Sequence, residues 1–564
     1  MIFCNSETRS FLRQCMHASS SMMRKRRGVI SQPLVTCVAL ILLASCWKNP
    51  GIFAAGMDAG AGHPAGPNVL FISMDDLNDW VEPLGGHPQA RTPNLTRLAD
   101  QSVKFTRAYC TSPGCNPSRT SIMTGLAPHT SGVYSNYQDW REVITEYTSL
   151  GKYLRDHGYY SAGAGKIYHY HMVDPSCWDE YWPSQKKNMP DEYLPNASQE
   201  EKEVDGLSEG VSKTINMPAF ENMYMMFDWT PLDIDDAEMG DYKSVEYVAR
   251  QLQKNHEKPF FLACGIYRPH LPWYVPKKYF DMFPLESIRL PKVLDGDLDD
   301  LSDRARDIAG RGGGYHKHVL EAGQWKPAVQ GYLASIAFAD AMLGRLLDAL
   351  EKSPHADNTV VVLWSDHGWQ LGEKEHWRKF ALWENVLRTV LMIKAPPGTP
   401  GLPGRTRAGA TCQRAVSLQD MYPTIVDLCG LPPRKDIDGR SLVPLLRNPE
   451  AEWNYPAISS YDFSEFSIRT ERWRYTRLID GSEELYDHSK DPEEWTNLAN
   501  VPQLKEIKAE LARHIPPDPA PLKQTSQKLS LHHFPPFRSR AEYEDWLEHG
   551  KDTRYLIKTY WQRD

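Results

Sequence analysis

Four short apolar blocks recur along this 564-residue chain, and they limit its fold more than any other feature. They are Val69-Leu70-Phe71-Ile72, Phe260-Phe261-Leu262-Ala263, Val360-Val361-Val362-Leu363-Trp364 and Thr389-Val390-Leu391-Met392-Ile393. Such blocks are the mark of strands buried on both faces. Helical periodicity over residues 242–252 precedes the second block, and the same periodicity over 334–350 precedes the third. Strands alternating with helices at this spacing predict an α/β sandwich with a largely parallel sheet, whose functional residues gather at one edge.

Past Pro396-Pro397-Gly398 the composition shifts toward Pro and Gly, and short strands are expected from about Tyr455, then a helix over 504–514. This divides the chain into three parts. Residues 1–55 are an export signal and tail, 56–425 the main domain, and 426–564 a smaller α+β subdomain with a small sheet. The segments 184–235 and 310–314 read as irregular insertions.

A net charge of -8 gives no basic surface for nucleic acid, and 41% hydrophobic content excludes disorder for most of the chain. Near the N-terminus, Arg24-Lys25-Arg26-Arg27 precede an apolar run over 33–44 that is short for a membrane span. The run reads as an export signal, with translation able to begin at Met22 or Met23. The mature chain is then periplasmic or secreted, with no integral membrane span. Leu43-Ala44-Ser45-Cys46 resembles a bacterial lipobox, which would anchor the chain at a lipidated Cys46; the alternative is simple cleavage nearby, with Ala54-Ala55 as an end point. None of the six cysteines beyond the signal has zinc-type spacing, and Cys412 with Cys429 is the disulfide the sequence leaves open.

Chemistry concentrates in six short motifs. Asp75-Asp76 ends the first strand and Ser365-Asp366-His367-Gly368 ends the third, so three carboxylates and an imidazole can meet. That donor set suits a hard divalent cation better than zinc. In Cys115-Asn116-Pro117-Ser118-Arg119-Thr120-Ser121-Ile122-Met123-Thr124-Gly125, proline fixes a turn and Ser118 can cap the following helix. Cys115 then faces a helix start that favours an anion, with Arg119 one turn in. Lys166 and His169 lie three residues apart after a helix over 150–157 that Gly158 ends. Arg268-Pro269-His270 follows the second strand, and Lys379 stands thirteen residues after Asp366. Alone, each motif has a plainer reading: a buried cysteine, a solvated acidic loop, a surface lysine. Together they are hard to obtain by accident.

The Cys-x-Pro-Ser-Arg run with its Thr-Gly pair resembles the signature of the sulfatases, and the other motifs resemble the iduronate-2-sulfatase-like branch. The resemblance spans residues 68 to about 500, including Asp438-Gly439-Arg440-Ser441-Leu442 and Glu484-Leu485-Tyr486-Asp487, which carry no chemistry of their own. It implies an alkaline-phosphatase-like sandwich in which a maturation enzyme oxidises Cys115 to formylglycine, whose hydrate is the nucleophile. One calcium ion would be held by Asp75, Asp76, Asp366 and His367, with the modified Cys115 completing the set. Arg119, Lys166, Lys379 and His270 would clamp the sulfate; His270 or Lys379 would protonate the leaving alcohol, and His169 would take the proton that releases sulfate. Arg268 stands where lysine is more usual. The implied substrates are sulfated oligosaccharides, such as 2-O-sulfated uronic acids of glycosaminoglycans or algal polysaccharides, with Trp178, Tyr181, Trp182 and Trp229 as stacking surfaces or as pins to the core. The rivals are a phosphonate or phosphate ester hydrolase of the same superfamily, a silent carbohydrate-binding relative, and a cysteine hydrolase using Cys115 with His169.

Overall fold

The strand Asn68–Met74 is buried along its whole length, and its alternation explains why. Val69 and Phe71 enter the core on one side of the sheet, while Leu70, Ile72 and Met74 enter the core on the other. A computed structural model describes residues 66–170, 172–184, 227–402, 404, 406–523, 525–526 and 540–551. Within them this strand lies in a nine-stranded sheet. In order across the sheet run Ala410–Cys412, Val103–Tyr109, Arg388–Lys394, Thr359–Ser365, Asn68–Met74, Phe260–Ile266, Tyr160–Gly165 and Glu180–Trp182, with Val416–Ser417 also paired to Val103–Tyr109. All pairings are parallel except those of Arg388–Lys394, which is antiparallel to both its neighbours. The fourth apolar block therefore points its C-terminal end away from the edge where the first three deliver their acids and imidazoles.

Helices cover both faces, as an α/β sandwich requires. Trp325–Glu351 and Gly240–Leu252 pack on one side, and Cys115–Thr124, Leu150–Asp156 and Met421–Leu428 on the other. The long helix begins nine residues before the periodic stretch that announces it. Leu150–Asp156 ends where Gly158 takes a φ of 89°, as the sequence requires. A four-stranded antiparallel sheet, Ala457–Tyr461, Glu465–Arg469, Trp473–Arg477 and Glu483–Asp487, forms the C-terminal subdomain, and Lys505–Ala512 packs on it through Leu511.

Several expectations are corrected. The glycine run at 310–314 falls largely within the helix Arg311–Glu321. The end of the 184–235 insertion is a strand, Trp229–Leu232, paired in parallel with Trp273–Pro276. Cys412 and Cys429 are both free and buried: the first has its thiol 3.5 Å from the Pro449 carbonyl, and the second lies beside Tyr159. The export signal, Met22, Met23, Cys46 and Ala54-Ala55 lie outside the described residues. No helix among the described residues is long and apolar enough to cross a membrane.

One buried ion cluster ties the C-terminal sheet to the main body. The Glu384 carboxylate accepts from Tyr109 at 2.9 Å, from Arg469 at 3.1 Å and from Arg474. Burial opposes its charge, yet Arg469, His488, Arg474 and Arg388 hold it well below its ordinary 4.5. A carboxylate held down in the folded state stabilises fully above its unfolded value and loses that contribution as pH falls below it. Stability is therefore expected to decline as acid is added below about pH 4.5, where the carboxyl begins to protonate in the unfolded chain. Glu384→Ala, which takes a carboxylate from two buried guanidiniums and leaves Arg474 with Glu494 alone, is expected to cost about 3–5 kcal/mol at neutral pH. Denaturant melts of both proteins at pH 7 and pH 4 check this, and a variant within about 1 kcal/mol of wild type at pH 7 would contradict it.

Candidate active site

Three parallel strands deliver their last residues to one sheet edge, and the helix Cys115–Thr124 points its N-terminus at the same place. Gly114 is extended at the cap position, and the Ser118 amide closes the first turn on the Gly114 carbonyl at 3.1 Å. Cys115 is thus the first residue of the helix, one turn earlier than expected. Ser118 does not cap it; its hydroxyl donates instead to the Asp366 carbonyl at 2.6 Å and pins the helix to the neighbouring strand end. Pro117 costs nothing here, because first-turn amides have no helical acceptor.

The Cys115 sulfur is wholly buried among charges. Lys379 Nζ lies 2.8 Å from it, His367 Nε2 3.3 Å, Lys166 Nζ 3.9 Å and Asp76 Oδ1 4.0 Å. Lys379 Nζ also donates to Asp76 Oδ1 at 2.8 Å, and Lys166 Nζ donates to Asp75 Oδ2. Burial pushes the Cys115 thiol up to about 12 against the pull of the two lysines. A thiol held protonated is a poor nucleophile, which weighs against the cysteine-hydrolase reading.

Arg119 stands behind the ligands. Its Nε donates to Asp366 Oδ2 at 2.9 Å and its Nη2 to Asp75 Oδ1 at 2.9 Å, while Nη1 bonds the carbonyls of Lys166 and Ile167 at 2.6 and 3.0 Å. The guanidinium therefore fixes two carboxylates and the start of the Lys166 loop. Burial opposes ionisation of Asp75, yet Lys166 and Arg119 hold it well below the usual carboxylate range. Asp76 is raised by burial and by the charges of Asp75 and Asp366, with Lys379 pulling the other way.

The donor geometry fits a metal. Ligand atoms of Asp76, Cys115, Asp366 and His367 lie within 4.8 Å of one another, and Asp75, Asp76 and His270 form a second such group. Asp76 Oδ2 is buried and lacks a hydrogen-bond partner among the described residues, as a ligand oxygen awaiting a cation would. Asp76 holds a φ of 61° that the Asp366 Oδ1 contact to its amide at 3.2 Å and the Tyr332 hydroxyl on its carbonyl at 2.8 Å maintain. His367 donates Nδ1–H to the Gly368 carbonyl at 3.0 Å, which leaves Nε2 as the ligating lone pair.

His270 enters from the second strand. Its Nδ1 donates to the Leu271 carbonyl at 2.6 Å, so Nε2 faces Asp76 Oδ2 at 3.7 Å. Arg268 turns elsewhere, onto the Tyr274 carbonyl, and its backbone amide and that of Tyr267 both bond Asp241. His169 is buried beside Tyr170, with Nδ1 unbonded among the described residues; burial, then the charges of Lys166 and Lys379, keep it well below its usual value and therefore neutral.

Of the two readings of the aromatics, the core pin holds for three: Trp178 stacks on Phe261 and Trp229 on Trp273, both rings are buried, and Tyr181 donates to the Gly165 carbonyl. Trp182 stacks on Tyr247. Sequence reasoning also missed residues that shape the site from a distance. Tyr332, in the middle of a buried helix, holds both the Asp76 carbonyl and the Asn78 amide, and nothing in its apolar surroundings marks it.

The chain is similar to known proteins along most of its length. The sulfatase family model matches residues 67–431, and the model of the C-terminal part of N-sulphoglucosamine sulphohydrolase matches 372–517. A sulfatase of Formosa agariphila is 37% identical over 77% of this chain and 83% of its own length. Iduronate 2-sulfatase of Mus musculus is 27% identical over 77% of this chain and 91% of its own. The fold is shared with the crystal structure of a phosphonate monoester hydrolase of Agrobacterium radiobacter, with a TM-score of 0.64 at 23% identity, over 79% of this chain and 94% of that one.

Proposed function

The chain belongs to the sulfatase family of sulfate-ester hydrolases, and on that premise we propose that it desulfates sulfated carbohydrates through a formylglycine formed at Cys115. The ring of charge around the Cys115 sulfur carries this reading. Three carboxylates, Asp75, Asp76 and Asp366, are matched by three cations, Arg119, Lys166 and Lys379, so their formal charges cancel. A calcium ion assigned to Asp75, Asp76, Asp366 and His367 would make the site net positive and supply the charge that draws electron density from sulfate oxygens. Hydrated formylglycine offers two hydroxyls on one carbon, one to attack sulfur and one to drive release of sulfate, which the single hydroxyl of a serine cannot do.

The chain's own residues do the rest. Lys166 and Lys379 bracket position 115 from two strand ends and neutralise the ester oxygens, where buried cations count for far more than they would in water. His270 presents Nε2 toward the same space, and it or Lys379 protonates the departing alcohol. His169, kept neutral by its surroundings, is the base that accepts the proton of the second hydroxyl. Arg119 keeps two ligands aimed without touching the ester.

The likeness to iduronate 2-sulfatase supports 2-O-sulfated uronic acids or related sugars as substrates, and the export signal read in residues 24–44 would bring the enzyme to extracellular polysaccharide fragments. The fold shared with a phosphonate monoester hydrolase favours one alternative, hydrolysis of phosphorus esters. A panel of defined sulfated oligosaccharides, aryl sulfate, choline sulfate and aryl phosphonate separates the readings. The expected result is highest kcat/KM on a sulfated saccharide; preference for choline or aryl sulfate contradicts the carbohydrate assignment, and preference for the phosphonate contradicts the sulfur chemistry.

A further inference from the structure

Lys374 is a buried cation that the chemistry described above does not use. It is 2% exposed, its Nζ bonds Asp297 Oδ1 at 2.8 Å, and its ammonium lies 5.7 Å from the Trp383 ring centre and 5.5 Å from that of Tyr486. Glu484 completes the enclosure: its Oε2 accepts from Trp383 Nε1 at 3.0 Å and from the Tyr486 hydroxyl at 2.9 Å. Glu484 and Tyr486 belong to the Glu484-Leu485-Tyr486-Asp487 motif of the C-terminal sheet, which carries no chemistry of its own.

The loop bearing Lys374 is strained. Lys374, Glu375, Arg378 and Phe380 all have positive φ, at 51°, 52°, 79° and 74°, and none is glycine. Side chains with a Cβ rarely adopt such conformations, so the surrounding structure must impose the loop's shape. Lys374 sits at the apex of a turn closed by the Gly372 amide on the His376 carbonyl at 2.9 Å. The His376 ring in turn lies between two carbonyls, Ala309 at 3.1 Å and Lys379 at 3.0 Å. A contiguous chain of contacts thus runs from the C-terminal sheet through Lys374 and His376 to the backbone of Lys379, whose ammonium touches the Cys115 sulfur.

We propose that Lys374, held by Asp297, Trp383, Tyr486 and Glu484, is a positioning residue that sets Lys379 against residue 115, and that the C-terminal Glu484–Tyr486 pair exists to hold this brace. Buried cations between aromatic faces and a carboxylate are well suited to the task, because removing any partner leaves a desolvated charge exposed to its like neighbours. The inference rests on the sulfatase reading of the site, yet it has a readout apart from turnover.

The test uses the full chain as Lys374→Met, Lys374→Arg, Tyr486→Leu and Tyr486→Phe, with kcat and KM on an aryl sulfate in wild-type and Lys379→Ala backgrounds. Lys374→Met and Tyr486→Leu are expected to lower kcat/KM about 10- to 100-fold, with Lys374→Arg retaining most of it and Tyr486→Phe, which keeps the ring but loses the bond to Glu484, falling between. In the Lys379→Ala background the same changes are expected to cost less than about twofold, because the residue they act through is gone. Hydrogen exchange supplies the second readout: the Phe380 amide, bonded to the Pro113 carbonyl at 3.1 Å, is expected to exchange faster in Lys374→Met and Tyr486→Leu alone. Equal losses in both backgrounds, or unchanged kcat/KM with unchanged Phe380 exchange, overturns the brace. A wild-type enzyme that leaves sulfate esters intact contradicts the proposed function instead, while the exchange comparison still decides whether Lys374 fixes the loop. Should Lys374→Met fail to fold, the Tyr486 pair decides the question.

Discussion

Cys115→Ser, made in a host that matures the wild-type enzyme, is expected to stop after a single half-reaction and to accumulate sulfate on the serine. Its hydroxyl can occupy the place of the sulfur, within reach of Lys379 and Lys166, and can attack sulfur once. It has no second hydroxyl for His169 to deprotonate, so the sulfate remains. Steady-state turnover should fall at least about 1,000-fold in both Cys115→Ser and Cys115→Ala. Neither change removes a large side chain from the core, so both variants should melt within about 1 kcal/mol of wild type. Turnover assays paired with intact mass after incubation with an aryl sulfate test this, and repeated turnover by the serine variant near the wild-type rate would contradict the two-hydroxyl chemistry.

The second large effect is expected at Asp366, which performs three tasks at once. Its Oδ2 accepts from Arg119, its Oδ1 from the Asp76 amide, and it is one of the grouped metal-ligand candidates. Asp366→Ala therefore removes a ligand and leaves part of a wholly buried guanidinium without its carboxylate, at a cost of about 3–5 kcal/mol. Asp366→Asn keeps the shape and an acceptor for Arg119, so it should fold better than the alanine variant while losing at least about 100-fold in kcat/KM. Exhaustive chelation should abolish wild-type activity and lower its melting temperature, because three carboxylates converge there. Metal analysis is expected to give about one hard divalent ion per chain. Full activity with no metal bound would sink this part of the account.

Much of the fold was legible because burial on both faces leaves an unmistakable apolar run, as in Asn68–Met74 and Thr359–Ser365. Strand direction was not, since an apolar run reads the same both ways, and the antiparallel course of Arg388–Lys394 left no trace in its residues. Val103–Tyr109 escaped notice because Lys104, Thr106 and Arg107 interrupt it, and Tyr160–Gly165 because Ser, Ala and Gly carry little apolar signal. The ten candidate site residues were legible as types placed at strand ends and a helix start. What they bond to was not. Arg119 could be placed near the site from its motif, but only the fold shows its donors spent on Asp75, Asp366 and two carbonyls. Lys374, Tyr332 and Asp241 act through contacts between elements far apart in sequence, and no local pattern marks them.

The central claim is chemical, that residue 115 acts as an aldehyde hydrate and not as a thiol. Mass measurement of the proteolytic peptide spanning Cys115, taken from enzyme of known specific activity, tests it most directly. The account predicts a peptide lighter than its cysteine form by the exchange of thiol for aldehyde, with activity across preparations rising in proportion to that fraction. Fully active enzyme whose peptide retains an unmodified cysteine would contradict it.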